Sequence, residues 1–307
     1  MTIPINFKIH IMKKNIFSII TAIAIMMFSA CTSDDLVNNH ESDDYVTVRF
    51  FVSGVNISQT MTRANTLQDA FSKLDLVLYK VNEDGSYTKY KECTQESSST
   101  TFGIVNLENV KCGTYKLVAL GHNDNEHPNM SDPTNIAFSK YVDIYGHTAD
   151  ITISKTATNN VEVPFVHKST KISFDFNGYI PDEVQKIQFS IDGASNVYNA
   201  ITGYASTTTT RVAAINISQE QRSNGKLTTS TYTLLKQEEL NSENSYVNIT
   251  IAGLDATNNV IDPKTYSKIP LKIGYTTTFS GVFFDYSNLS FSFSVNADWT
   301  DLSTINM

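Results

Sequence analysis

From Tyr45 to Val295 the chain is a succession of short segments in which apolar and polar side chains alternate, and that period of two constrains the fold more than any other feature. Tyr45 to Val52 reads Tyr-Val-Thr-Val-Arg-Phe-Phe-Val, and Leu74 to Val81 reads Leu-Asp-Leu-Val-Leu-Tyr-Lys-Val. In an extended backbone successive side chains point to opposite faces, so each segment predicts a strand with one apolar face. The second ends at Asn82-Glu83-Asp84-Gly85, where Gly supplies the positive φ of a tight turn, and a hairpin partner is expected from Tyr87. Thr101 to Leu107 and Thr114 to Leu120 form a further pair around Lys111-Cys112-Gly113, followed by Ala149 to Ser154 and Val161 to Val166. The pattern then restarts with Lys171 to Phe176, Lys186 to Ile191, Thr210 to Ile217, Thr229 to Leu235, Tyr246 to Ile251, Ser267 to Ile273, Thr276 to Phe284 and Leu289 to Val295.

Helical patterning is confined to Ala64 to Ser72 and Gln219 to Asn224. Many short strands with frequent turns predict an all-β protein of sandwiches or barrels. The length exceeds the commonest size of one domain, so we expect two tandem β-sandwich domains, 45–166 and 167–307, rather than one large jelly roll.

The N-terminus carries a different signal. Met12-Lys13-Lys14-Asn15 is a basic start, and Ile16 to Phe28 is an apolar run too short to span a bilayer core, which takes roughly 20 apolar residues. Phe28-Ser29-Ala30-Cys31 resembles the bacterial lipobox, with Phe28 where Leu is usual. We therefore expect residues 1–30 to be a signal peptide, with Met12 a candidate start, and Cys31 to become the lipid-bearing first residue. Each acyl CH₂ entering the membrane contributes about 0.8 kcal/mol, so several chains on one cysteine form a lasting anchor. Residues 31–44, with Asp34, Asp35, Glu41, Asp43 and Asp44, lack the apolar content to pack and read as a flexible tether. Acidic residues behind the lipidated cysteine either resemble a signal for export to the outer face of the outer membrane or belong to a solvated linker.

Residues 1–30 hold three Lys and no acid, so the remaining chain has 20 basic against 31 acidic residues, a net charge of −11. Phosphate binding needs a concentrated basic face and none is visible, so we expect no nucleic-acid partner. Cys93 and Cys112 would lie in an oxidising compartment and are either a disulfide or buried thiols.

The order of these features resembles the FimB/Mfa fimbrial lipoproteins of type V pili. The lipobox, the Val-x-Val-x-Phe first strand, Thr62-Arg63-Ala64, and Gly113-Thr114-Tyr115 before Leu117-Val118-Ala119-Leu120-Gly121 carry the resemblance. So do the junction from Val163 to Phe176 and a closing strand from Phe293 to Trp299. The resemblance implies two transthyretin-like sandwiches and a role as anchor or accessory subunit of a fimbrium. It implies fimbrial shaft or accessory subunits as partners, with the outer membrane reached through the N-terminal lipid. It also implies donor-strand exchange, in which an extended segment of one subunit completes a sheet of the next. In shaft subunits of that family a protease cuts after an arginine and removes the first strand. Arg63 before Ala64 stands where such a cut would fall, and is otherwise an uncut loop residue. The tail from Asp301 to Met307 is a terminal strand pairing either at home or with a partner.

His122-Asn-Asp-Asn-Glu-His127 gathers imidazoles and carboxylates in one loop but shows no third ligand at a defined spacing, so we expect a solvated loop and no metal. His147 and His167 stand beside turns and are expected to carry hydrogen bonds. No nucleophile elbow or Gly-rich phosphate loop is present, so we expect no enzyme, no catalytic residues and no cofactor. Trp299 is either core or a sugar-stacking platform, and the second reading would make the chain a surface glycan-binding lipoprotein.

Overall fold

The computed structural model describes residues 44–54, 66–237, 244–284 and 292–296. The elements run β1 (Tyr45–Ser53), α1 (Leu67–Ala70), β2 (Lys73–Val81), β3 (Tyr87–Glu96), β4 (Ile104–Lys111), β5 (Gly113–His122), β6 (Ile136–Ala137), β7 (Ile144–Ile153), β8 (Asn160–Pro164) and β9 (Val166–His167). They continue with β10 (Thr170–Asn177), β11 (Lys186–Ala194), β12 (Val197–Asn199), β13 (Tyr204–Ala205), β14 (Thr209–Asn216), α2 (Gln219–Asn224), β15 (Lys226–Thr233), β16 (Asn244–Leu254), β17 (Val260–Lys272), β18 (Thr276–Val282) and β19 (Ser292–Asn296). The chain is all-β, as the alternation predicts.

The first sandwich packs the sheet β4-β1-β8 against the sheet β3-β2-β5-β7-β9, and the second packs β15-β10-β18-β19 against β14-β11-β16-β17. The alternation of β10 turns Ile172, Phe174 and Phe176 inward, and that of β11 turns Ile187, Phe189 and Ile191 to meet them. Phe174 and Phe189 stand 4.1 Å apart between ring centroids, joining the two sheets. Each such large apolar side chain contributes about 1.5–3 kcal/mol on burial.

The two sandwiches repeat one topology. β1 lies between antiparallel β4 and parallel β8, and β10 lies between antiparallel β15 and parallel β18. β2 lies between β3 and β5 with β7 beyond, as β11 lies between β14 and β16 with β17 beyond. Each copy adds one strand of its own to this pattern, β9 beyond β7 in the first and β19, antiparallel along the far edge of β18, in the second.

A third apolar layer departs from the expected pattern. β2 is buried on both faces, with Leu74, Leu76 and Leu78 inside the first sandwich and Val77 and Tyr79 covered from outside. The cover comes from Met130, Ile136 and Phe138 and, from beyond residue 190, Tyr198, Ala200, Ala205 and Leu234. β6 pairs with β12 across this seam, and the Tyr79 hydroxyl donates to the Met130 carbonyl at 2.6 Å. The run Leu117-Val118-Ala119-Leu120 of β5 is continuous for the same reason, since a strand covered on both faces has no need to alternate.

The turns follow local chemistry. Gly85 adopts φ 80°, and the Asp84 carboxylate accepts the Ser86 amide at 2.9 Å, which closes the β2–β3 hairpin. α2 is capped by Ser218, whose hydroxyl accepts the Gln221 amide at 3.1 Å while the Gln221 side chain accepts the Ser218 amide at 2.8 Å. Gly121 has no room for a side chain, because an added Cβ would lie 2.8 Å from the Phe71 ring. We expect Gly121→Ala to destabilise the chain by about 1–3 kcal/mol through overpacking, read as a lowered urea midpoint with unchanged m-value.

Candidate functional site

β1 is the element on which the assembly reading depends. It sits in the middle of its sheet, with Phe50 opposite Val105 of β4 on one side and opposite Val161 of β8 on the other. Val48 and Phe50 are fully buried and contribute directly to the first core, while Phe51 on the opposite face is exposed. Pro164 closes β8, and a proline is tolerated there because β8 is an edge strand among the described residues. β1 is thus a plug, hydrogen-bonded on both edges and greasy on its inner face. Lifting it out would leave a groove between β4 and β8 open to the core.

Arg63 and Ala64 lie outside the described residues, between Gly54 at the end of β1 and Thr66 before α1. Cys31, Trp299 and the tail from Asp301 also lie outside them. Cys93 is buried on β3, where it pairs with Leu76, whereas Cys112 is half-buried in the turn between β4 and β5. No disulfide joins them in the structure, since Cys93 turns into the core and Cys112 stays at the turn. Asn248 accepts the Lys268 amide at 3.0 Å, and Thr250 bonds Thr265 at 2.9 Å, so both side chains tie β16 to β17.

The loop from His122 to His127 is not the solvated loop expected from the sequence. His122 is fully buried and Asp124 is 3% exposed, and the third group is Asp75 of β2, itself 2% exposed. Nothing in the local sequence could signal it, because Asp75 is brought in by the β2–β5 ladder. His122 Nδ1 accepts the Asp124 amide at 3.1 Å, so the ring proton sits on Nε2 and is donated to Asp75 at 2.7 Å. His127 faces carboxylates with both nitrogens, Asp75 at 2.7 Å and Glu96 at 3.2 Å, and Lys73 pairs with the same Glu96.

The donors of Asp75, His122 and His127 lie within 4.8 Å of one another, close enough for a metal ion to be considered. The hydrogen bonds argue against one. A metal on His122 Nε2 would force the proton onto Nδ1, against the Asp124 N–H. The network instead stitches the loop to β2 and β3.

Its charges follow from the contacts. Burial pushes the Asp75 carboxyl up, but hydrogen bonds from His122 and His127 outweigh it and hold the group below the ordinary carboxylate range. The bond to Asp75 raises His127, with burial opposing and the charges of Asp75 and Glu96 adding to the rise. A raised histidine stabilises the fold fully below its ordinary pKa of 6.5, and that contribution is lost as pH rises through the higher folded value. We expect the urea midpoint of His127→Gln to fall furthest below that of the unaltered chain at pH values under 6.5. The gap should narrow as pH rises, and a gap independent of pH would rule out the cation.

A serine, a histidine and an aspartate also meet at the first residues after β8, but in an order that does not make a nucleophile. The Ser169 hydroxyl donates to Asp143 at 2.7 Å and accepts the Ile144 amide at 3.1 Å, and His167 reaches the same carboxylate at 3.3 Å. The carboxylate stands between the hydroxyl and the imidazole, so the histidine cannot take the serine proton. Burial, helped by the nearby Lys168 charge, pushes His147 below the ordinary histidine range.

The architecture is therefore that of a two-sandwich all-β protein. No family model matches the chain, and no curated protein matches it. Among solved structures, it is similar to a candidate polysaccharide-binding protein of Bacteroides thetaiotaomicron, with a TM-score of 0.50 and 12% identity over 85% of this chain and 98% of that one. The fimbrial anchor protein Mfa2 of Porphyromonas gingivalis gives a TM-score of 0.46 and 8% identity over 85% of this chain and 99% of that one. A fimbrial assembly protein of Parabacteroides distasonis gives 0.44 and 13% over the same 85% and 99%. Of these, the likeness that reaches a TM-score of 0.50 is to the Bacteroides thetaiotaomicron protein, and at 12% identity it is a likeness of fold.

Proposed function

We propose that this chain is an outer-membrane lipoprotein that serves as an anchor or accessory subunit of a fimbrium, held by lipid on Cys31 and joined to its neighbours by strand addition. The observation that carries the reading is the placement of β1, a central strand whose apolar face fills the first core and which precedes Arg63 in the sequence. An exposed, unpaired sheet edge beside an apolar groove binds an extended segment strongly, because main-chain bonds and buried side chains act together. With β1 in place the groove is filled and the lipid remains attached, which suits an anchor. With β1 cut away after Arg63 the groove opens and the lipid leaves, which suits a shaft or tip subunit. We assign the boundary between the two modules to the short stretch between β8 and β10, where one seven-strand pattern ends and its repeat begins.

The two states are separated by the intact mass of the mature protein recovered from membranes. A chain starting at acylated Cys31 is the result expected for an anchor. One starting at Ala64 would move the assignment to shaft or tip, and an unmodified chain starting at Met1 would overturn the lipoprotein reading altogether.

A further inference from the structure

A cleft of about 470 Å³ opens on one side of the seam between the sandwiches, a size within the range of small-ligand sites. Its lining includes Tyr141, Tyr145, Arg211, Ser230, Thr231 and Tyr232, contributed by both halves of the chain. Arg211 of β14 is the cation of this lining. Its guanidinium lies 4.2 Å from the centre of the Tyr141 ring, and Nη1 donates to the Tyr232 carbonyl at 3.4 Å. No carboxylate lies within 4.0 Å of it among the described residues. Asp143, which also lines the cleft, is engaged instead by Ser169 and His167.

We propose that this cleft binds a carboxylated sugar residue of an oligosaccharide, with Arg211 gripping the carboxylate. A guanidinium has five N–H donors in a planar fork, and one weak bond to a carbonyl leaves a bidentate face for an anion. Stacking on Tyr141 holds that fork flat, so little freedom is lost on binding. Burial pushes Arg211 below its ordinary range, a cost that an arriving anion reverses. The charge balance selects the class of ligand. One arginine shares the cleft with Asp69 and Asp143, which repel a phosphate dianion more than a single carboxylate, and both aspartates are already engaged, Asp69 by Thr66 and Asp143 by Ser169 and His167. Tyrosine rings and the hydroxyls of Ser230 and Thr231 suit a ring that is itself rich in hydroxyls. This site is independent of β1 and of the lipid anchor.

The test is calorimetric titration of the full chain with trigalacturonate and, in parallel, with its methyl ester. We expect saturable binding of the acid, with the ester about tenfold weaker or more, as loss of a charge-assisted bond implies. Arg211→Gln should weaken the acid by a similar factor at unchanged thermal midpoint, and Arg211→Lys should not restore it, because an ammonium has no fork. The ester comparison runs on the unaltered chain, so it decides the matter even if a variant fails to fold. Equal binding of acid and ester, or no saturation in the millimolar range, would overturn the proposal. So would tighter binding of a sugar-free acidic peptide such as Asp301 to Met307, since a peptide carboxylate would then be the better occupant.

Discussion

A chain that begins at Ala64 is expected to lose the cooperative unfolding of its first sandwich, and a free peptide of Tyr45–Ser53 is expected to restore it. Val48 and Phe50 are fully buried, and β1 is paired along both of its edges. Burial of these side chains contributes about 1.5–3 kcal/mol each, and the abandoned strand edges of β4 and β8 lose their main-chain partners as well. A typical domain has only about 5–15 kcal/mol in hand, so the loss is a large fraction of the whole. Hydrogen exchange at Val105, Leu107, Val161 and Val163 would report it as collapsed protection in β4 and β8. A peptide carrying Asp at positions 48 and 50 should not rescue, because only an apolar inner face can refill the groove. If β4 and β8 stay as protected without β1 as with it, strand exchange at this groove is excluded.

The second large effect is expected at Asp75. Replacing it with Ala leaves the His122 Nε2–H buried with no acceptor and takes one of two carboxylates from the His127 ring. Breaking a buried charged pair from one side costs about 3–5 kcal/mol, because the abandoned group keeps its desolvation penalty. Asp75→Asn should cost less, since an amide oxygen still accepts from one ring. The pH dependence runs opposite to that of His127. A depressed carboxyl stabilises the fold above its ordinary value of 3.8, and that contribution disappears as pH falls through the lower folded value. Urea denaturation of Asp75→Ala near neutral pH measures the effect, and a loss under about 1 kcal/mol would show that the loop is held by other means.

Most of the strands were legible because their alternation is local. Val48 and Phe50, or Ile172, Phe174 and Phe176, announce an inner face without reference to anything else in the chain. The Asp84-Gly85 turn and the capped helix from Gln219 to Asn224 were legible for the same reason. What failed was whatever depends on distant partners. Ile136–Ala137, Val197–Asn199 and Tyr204–Ala205 are too short to show a period; the first two become strands by pairing with each other across the seam, and the third by pairing with the second. The alternation of β2 suggested one covered face, yet Val77 and Tyr79 are buried as well because residues far along the chain lie over them. Asp75 gave no sign of joining the loop at His122 and His127, 47 and 52 residues later, since a carboxylate on an alternating strand looks like a solvent-facing residue. The restart of the strand pattern after Val166 was legible, but the strand order the two copies share was not, since hydrogen-bond order persists where side-chain identity does not.

The apolar seam has a mechanical meaning. Tyr198, Ile136, Leu120 and Leu234 are each nearly inaccessible to water, and a hinge opening there would wet them all at once. Whatever pulls on one module therefore drags the other with it, and the pair behaves as a single stiff lever instead of two beads on a string.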